Sequence, residues 1–280
     1  MDSGATRKLD CKNDARDQIA LALAEIALAT GPAIMEIYAP DCASREKSDG
    51  SPVTQADERA EAIILARLKI IAPDIRVVAE EACAAGAAMQ IADQFFLVDP
   101  LDGTREFLKH NGEFTVNIAL ISNGAPVAGV VYAPALGRLW AGGESAWTSN
   151  VEVGAGLPAQ TERRPLTTRL APDTLVALAS RSHRDSETEA FLERMPIGDL
   201  KSAGSSLKFC VVAEGEADVY PRFGPTMEWD TAAGDAVLRA AGGVVLQRDG
   251  SPFVYGKAEA GLRNGAFVAW GDPNAARRLN

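Results

Sequence analysis

Histidine is almost missing from this 280-residue chain, cysteine is sparse, and cationic residues are outnumbered by acids. Each shortage removes a class of function. Two histidines, His110 and His183, are too few and too far apart for a mechanism built on imidazole. The four cysteines, Cys11, Cys42, Cys83 and Cys210, contain no CxxC pair and no zinc spacing. That pattern predicts reduced thiols in a cytosolic protein rather than a disulfide framework. No unbroken apolar stretch reaches the length of a membrane span, and the first residues mix Asp, Lys and Arg without an apolar signal core. The expectation is a cytoplasmic protein with no integral membrane segment; peripheral association with the inner membrane stays open. Lys and Arg total 28 against 38 acids, a net charge of −10. Such a balance disfavours nucleic acid polymers, which need a basic footprint. It remains compatible with a small phosphorylated molecule, because bound cations reverse the local field.

What the chain does have is acid at the ends of apolar runs. Phe95-Phe96-Leu97-Val98 reads as a buried strand and leads into Asp99-Pro-Leu-Asp102-Gly-Thr104. Two carboxylates three residues apart, the Leu101 carbonyl between them and the Thr104 hydroxyl are hard oxygen ligands of the kind Mg²⁺ takes. Gly103 lets the backbone approach a ligand closely. The same residues also form ordinary turns and helix caps. Glu80-Glu81 follows the apolar strand Ile75–Ala79, and Asp230 precedes an apolar helical stretch. Acids crowded together from separate elements are costly without a cation.

A hydrophobic content of 47% allows a sizeable core in one or two domains. Helices are predicted at Asp17–Tyr38, with a kink at Gly31-Pro32, and from about Ala56 to Ile71. Between them Glu46–Ser51 reads as a polar loop suited to covering a site. Strands follow near Ile75–Ala79, Phe95–Val98, Thr115–Ile121, Val127–Tyr132 and Arg138–Ala141, with Asn123-Gly124 as a hairpin turn. The Gly-, Pro- and Thr-rich stretch Asn150–Pro172 separates an α+β half, residues 1–155, from an α/β half, residues 156–280. In the second half, strands are expected at Leu175–Ser180, Ala217–Tyr220 and Gly243–Leu246. Helices are expected near Glu187–Arg194, at Ser205–Glu214 and from Thr231.

Glu80-Glu81, Asp99-Pro-Leu-Asp102-Gly-Thr104 and Trp229-Asp230-Thr231-Ala232-Ala233-Gly234 resemble the signatures of the Mg²⁺-dependent, lithium-sensitive inositol monophosphatase superfamily. Four further motifs resemble its bacterial 3′(2′),5′-bisphosphate nucleotidase branch, of the CysQ type. They are Gly50–Asp57, Lys109–Asn117, Gly204–Phe209 and Tyr220–Thr226. The likeness runs from about Ile19 to Val268. It implies a layered αβαβα sandwich with the site between the halves. It also implies two or three Mg²⁺ ions held by Glu80, Asp99, the Leu101 carbonyl, Asp102 and Asp230, with Asp99 bridging two ions about 4 Å apart. Glu80 is chosen over Glu81 by register within the family pattern.

By the same likeness Asp57 and Thr104 activate the attacking water, a hydroxyl being a poor base without a carboxylate to take its proton. Thr54-x-x-Asp57 also has the form of a capping box. Lys47, Gly103, Thr104, Ser205, Ser206, Lys208 and Arg222 are the implied substrate contacts. Ser205 and Ser206 open a predicted helix, which suits either a phosphate or simple capping. The implied reaction removes the 3′-phosphate of adenosine 3′,5′-bisphosphate, by a monomer or homodimer.

Overall fold

The computed structural model describes residues 8–11, 15–39, 52–87, 91–180 and 185–279. Lys47, Cys42, His183 and the whole of the expected covering loop lie outside them. Seven strands form the first sheet, in the order of the chain: β1 (Arg76–Ala79), β2 (Gln94–Asp102), β3 (Thr115–Ser122), β4 (Ala125–Ala133), β5 (Arg138–Gly142), β6 (Ala146–Asn150) and β7 (Arg164–Leu166). Only the β1–β2 pair is parallel. Asn123 and Gly124 turn β3 into β4 with φ of 50° and 75°, the positive pair a two-residue hairpin needs. Because β7 pairs with β6, the first sheet runs on to Leu166.

The second sheet has five strands. These are β8 (Leu175–Ser180), β9 (Ile197–Ala203), β10 (Val219–Arg222), β12 (Val244–Gln247) and β14 (Phe267–Trp270), ordered β12-β14-β10-β8-β9. The short β11 (Thr226–Met227) and β13 (Arg263–Asn264) pair separately. The helices are α1 (Arg16–Tyr38), α2 (Pro52–Ile71), α3 (Glu80–Ala84), α4 (Thr104–Leu108), α5 (Ser186–Glu193), α6 (Leu207–Ala213), α7 (Ala232–Ala240) and α8 (Pro273–Leu279).

Three core regions stack these elements into five layers. The first packs α1 and α2 on one face of the seven-stranded sheet, through Leu23, Ile34, Ile64, Leu68, Phe96 and Val130. A second fills the space between the sheets with α6 and α7, through Leu97, Trp140, Phe209, Val237 and Phe267. The third seats α5 and α8 on the outer face of the five-stranded sheet, through Leu192, Val268, Trp270 and Ala276. The expected αβαβα sandwich is therefore observed.

Alternation along β2 is erased by burial on both faces, which is why it reads as a continuous apolar run. Helix α1 is one element through Pro32 and is long and apolar enough to cross a membrane by composition, although Asp17, Glu25 and Glu36 interrupt its apolar run. Its apolar residues are instead spent on the first core, with Leu23, Ala24 and Ile34 fully buried. Helix α7 lies close against the seven-stranded sheet because Gly142 leaves room for it. A Cβ there would fall 2.7 Å from the Val237 Cα. Overpacking of that kind costs about 1–3 kcal/mol.

Candidate active site

The site begins where β1 ends beside β2. Ala79 of β1 pairs with Val98 of β2, so Glu80, at the start of α3, follows next to Asp99, which is still on β2. Residues three apart on a regular strand face opposite sides. Between Asp99 and Asp102 the register slips: they pair with Asn117 and Thr115 of β3, so four residues oppose three. That extra residue, at a proline with no N–H for the ladder, is a bulge that re-aims the following side chain. Asp102 thereby joins Asp99. The Asp99 Oδ1 accepts the Leu101 N–H at 3.0 Å, which holds the bulge shut.

Gly103 then turns the chain with φ of 97°. A Cβ there would meet the Glu113 carbonyl, the Phe114 Cα and the Ser205 Cβ, each at 3.3 Å. The halves touch at this point. Thr104 opens α4 beyond it and is exposed. Asp230 comes from the other half, in the turn before α7, with its Oδ2 accepting the Met227 N–H at 2.8 Å. Asp57 is buried on α2. That helix starts at Pro52, so Asp57 lies inside it and cannot serve as the third residue of a capping box. The capping alternative falls.

Crowding shows in the titration of these acids. Burial, then the charges of Glu81, Glu80, Glu61 and Glu58, push Asp57 up to about 8. Burial and the Asp102 charge push Glu80 up to about 7. Asp230 is raised to about 8 by burial and Asp102, with Arg222 opposing. Asp99 is raised well above the carboxylate range by burial and by Glu80, Asp102, Asp230 and Asp57. Glu81 is raised by burial and by Glu58, and its own charge acts on both Asp57 and Glu80.

These acids fit a hard divalent cation. Among the described residues no three side chains converge closely enough to cage an ion by themselves. They form instead an open bay of oxygen donors at the junction of the halves. Mg²⁺ suits such a bay, since it keeps several waters and shares its ligands with substrate phosphates.

Asp102, Gly103, Thr104, Ser205, Lys208, Arg222 and Asp230 line one cavity of about 590 Å³. Helix α6 is shorter than expected, starting at Leu207, and neither serine side chain caps it. Ser205 has a left-handed φ of 48° and donates to Asp102 Oδ2 at 2.8 Å. Ser206 departs from its expected place at the substrate. It is 1% exposed, with Oγ 3.0 Å from Asp102 Oδ2 and 2.7 Å from the Asp230 carbonyl. Lys208 is buried rather than solvated, and donates to the carbonyls of Ala203 at 3.2 Å and Ser205 at 2.5 Å. Burial lowers it to about 8; Asp102, Glu106 and Glu113 oppose, while neighbouring Arg222 adds to the lowering. Arg222, at the end of β10, donates to the Pro225 carbonyl at 3.1 Å.

Three supporting residues have no assigned role at the sequence level. Glu61 accepts the Glu81 N–H at 2.9 Å and so ties α3 to α2. It follows Asp57 by four residues, the spacing of one helix face, and that signal was available. Thr115 and Asn117 are fully buried polar residues on β3, and their side chains reach the serines. Their position inside an apolar strand was the clue.

A model of the inositol monophosphatase family matches residues 15–271. The chain belongs to that family. It is 43% identical over 250 residues to the 3′(2′),5′-bisphosphate nucleotidase CysQ of Escherichia coli strain K12, covering 88% of this chain and 97% of that one. It is 44% identical over 247 residues to the protein of the same name from Salmonella typhimurium, covering 87% and 96%. Among solved structures of the inositol monophosphatase family, CysQ from Bacteroides thetaiotaomicron superposes with a TM-score of 0.78 at 40% identity, covering 90% and 97%.

Proposed function

We propose that this member of the inositol monophosphatase family is a Mg²⁺-dependent 3′(2′),5′-bisphosphate nucleotidase. It would convert adenosine 3′,5′-bisphosphate to AMP and phosphate, a reaction linked to sulfate assimilation. 3′-Phosphoadenylyl sulfate carries the same 3′-phosphate and is a second substrate of this reading. The carrying observation is one cavity lined both by acids, Asp102 and Asp230, and by bases, Lys208 and Arg222. A lining of both charges suits a substrate with two phosphates, one on cations held by the acids and one on the bases. The names and high coverage of the relatives support the same substrate class.

Glu80, Asp99, the Leu101 carbonyl, Asp102 and Asp230 would hold Mg²⁺. When bound, Mg²⁺ supplies charge neutralisation and Lewis acidity at the phosphate oxygens. The chain's own residues do the rest. Thr104 orients the attacking water in line with the 3′-phosphorus, and Asp57 takes the proton that Thr104 draws off. The bond from phosphorus to the ribose 3′-oxygen breaks as the water oxygen bonds to phosphorus. Arg222 grips the second phosphate in a fork, Lys208 adds positive charge in the cavity wall, and Gly103 lets the backbone come close. Li⁺, another hard cation suited to all-oxygen sites, is expected to inhibit.

The test is hydrolysis of adenosine 3′,5′-bisphosphate by metal-stripped protein, followed by ³¹P NMR. Loss of the 3′-phosphate resonance on adding Mg²⁺, with AMP as product, supports the reading. Loss of the 5′-phosphate, or equal turnover in excess chelator, overturns it.

A further inference from the structure

Asp102 and Asp230 come from different halves of the molecule, and one hydroxyl lies between them. Ser206 Oγ is 3.0 Å from Asp102 Oδ2 and 2.7 Å from the Asp230 carbonyl oxygen. It has one proton to give to these two acceptors. From behind, the Asn117 Nδ2 donates to Ser206 Oγ at 2.9 Å and to Asp102 Oδ2 at 3.4 Å. Asn117 is itself oriented by the Thr115 hydroxyl, which donates to its Oδ1 at 3.1 Å. Thr115, Asn117 and Ser206 are each 1% exposed or less, and none of them lines the cavity. Asn117 is also the ladder partner of Asp99. Thus the Asn117–Ser206 pair touches or pairs with all three acids of the Asp99, Asp102 and Asp230 set. These donors land on Oδ2 of Asp102, as does the Ser205 hydroxyl, which leaves Oδ1 for a ligand.

We infer that Ser206, held by Asn117, is a positioning residue that fixes the Asp102 carboxylate against the Asp230 segment and so sets the spacing of the cation site across the two halves. It does not touch substrate. The inference rests on the reading of these acids as Mg²⁺ ligands. Partners that orient metal ligands typically cost 10–100-fold in metal affinity when removed. A buried polar pair is kept because only a fully satisfied network holds a single arrangement.

The experiment is a Mg²⁺ titration of melting temperature without substrate, for the wild type, Ser206→Ala and Asn117→Ala. It is joined to steady-state kinetics at saturating Mg²⁺. Ser206→Ala should raise the Mg²⁺ midpoint roughly 10-fold or more, leave the substrate KM within about twofold, and recover turnover as Mg²⁺ is raised. Asn117→Ala should do the same, and it carries the test if Ser206→Ala fails to fold. An unmoved Mg²⁺ midpoint with a tenfold higher KM would make Ser206 a substrate ligand and overturn the inference. Unmoved values in both variants overturn it as well. If the wild type shows no Mg²⁺-dependent rise in melting temperature, the metal reading itself fails, which the variants alone could not produce.

Discussion

Asp57, Glu80, Asp99 and Asp230 share one electrostatic predicament: Asp57 and Asp99 are buried, Glu80 and Asp230 half-buried, and each is raised by neighbouring acids. Carboxylates in that state either take up protons or take up a cation. All four were legible in the sequence, because each stands next to a strong apolar run or within a regular helix. Their supports left only a weak signal: Glu61 shares a helix face with Asp57, and Thr115 and Asn117 sit inside an apolar strand, but only the fold shows what they touch. Lys208 was expected at the substrate and lines the cavity, but its burial was not legible, since a seven-residue helix has too few turns for its pattern to reveal a buried face. Asp57 gives the sharpest prediction at this scale. As an internal residue of α2 it has no capping role to lose, so Asp57→Asn should leave the fold intact. Turnover should fall by roughly 10²-fold or more, the usual scale of general-base loss, with KM changed far less. Single-turnover hydrolysis at saturating Mg²⁺ decides the matter, and a rate within tenfold of wild type would return the base assignment to open ground.

Among the elements, the end of β2 does the most. Its bulge at Pro100-Leu101 and the left-handed turn at Gly103 are what bring two acids and Thr104 to the junction of the halves. Gly103→Ala should therefore destabilise the protein by about 1–3 kcal/mol, the range for a strained backbone position. It should also slow turnover, because Asp102 and Thr104 flank the turn. Urea unfolding of the variant measures the first effect; an unchanged midpoint would mean the turn is not under this constraint. The long helices and most of the central strands were readable from their pattern, but the interior strands β6 and β14 were not among the expected elements. Strand β9 was not, since it is an edge strand whose middle residues are exposed and carry no apolar alternation. The bulge itself left no trace beyond its proline.

For the whole molecule, the layers follow from three cores, while the acid bay adds a pH-dependent strain to the metal-free protein. Folded-state values of about 8, 7 and 8 for Asp57, Glu80 and Asp230 lie above the ordinary carboxylate range near 4. Between these limits the folded state binds more protons than the unfolded one, so stability falls as pH rises. The metal-free protein should thus lose melting temperature from about pH 5 to pH 8. Asp99→Asn should flatten that slope, and Mg²⁺ should flatten it in the wild type. Melting curves in chelator across this range check the sign, and a slope of the same steepness in Asp99→Asn would contradict it.

The central claim concerns substrate: an acid bay for one phosphate and a basic wall for another. Comparing kcat/KM for adenosine 3′,5′-bisphosphate and inositol 1-phosphate in Mg²⁺ tests it most directly. A site that pairs a second phosphate should reject a substrate lacking one, so the expected ratio favours the bisphosphate by about 10²-fold or more. Equal values, or a preference for inositol 1-phosphate, would contradict the claim and leave a general monoester phosphatase on the same fold.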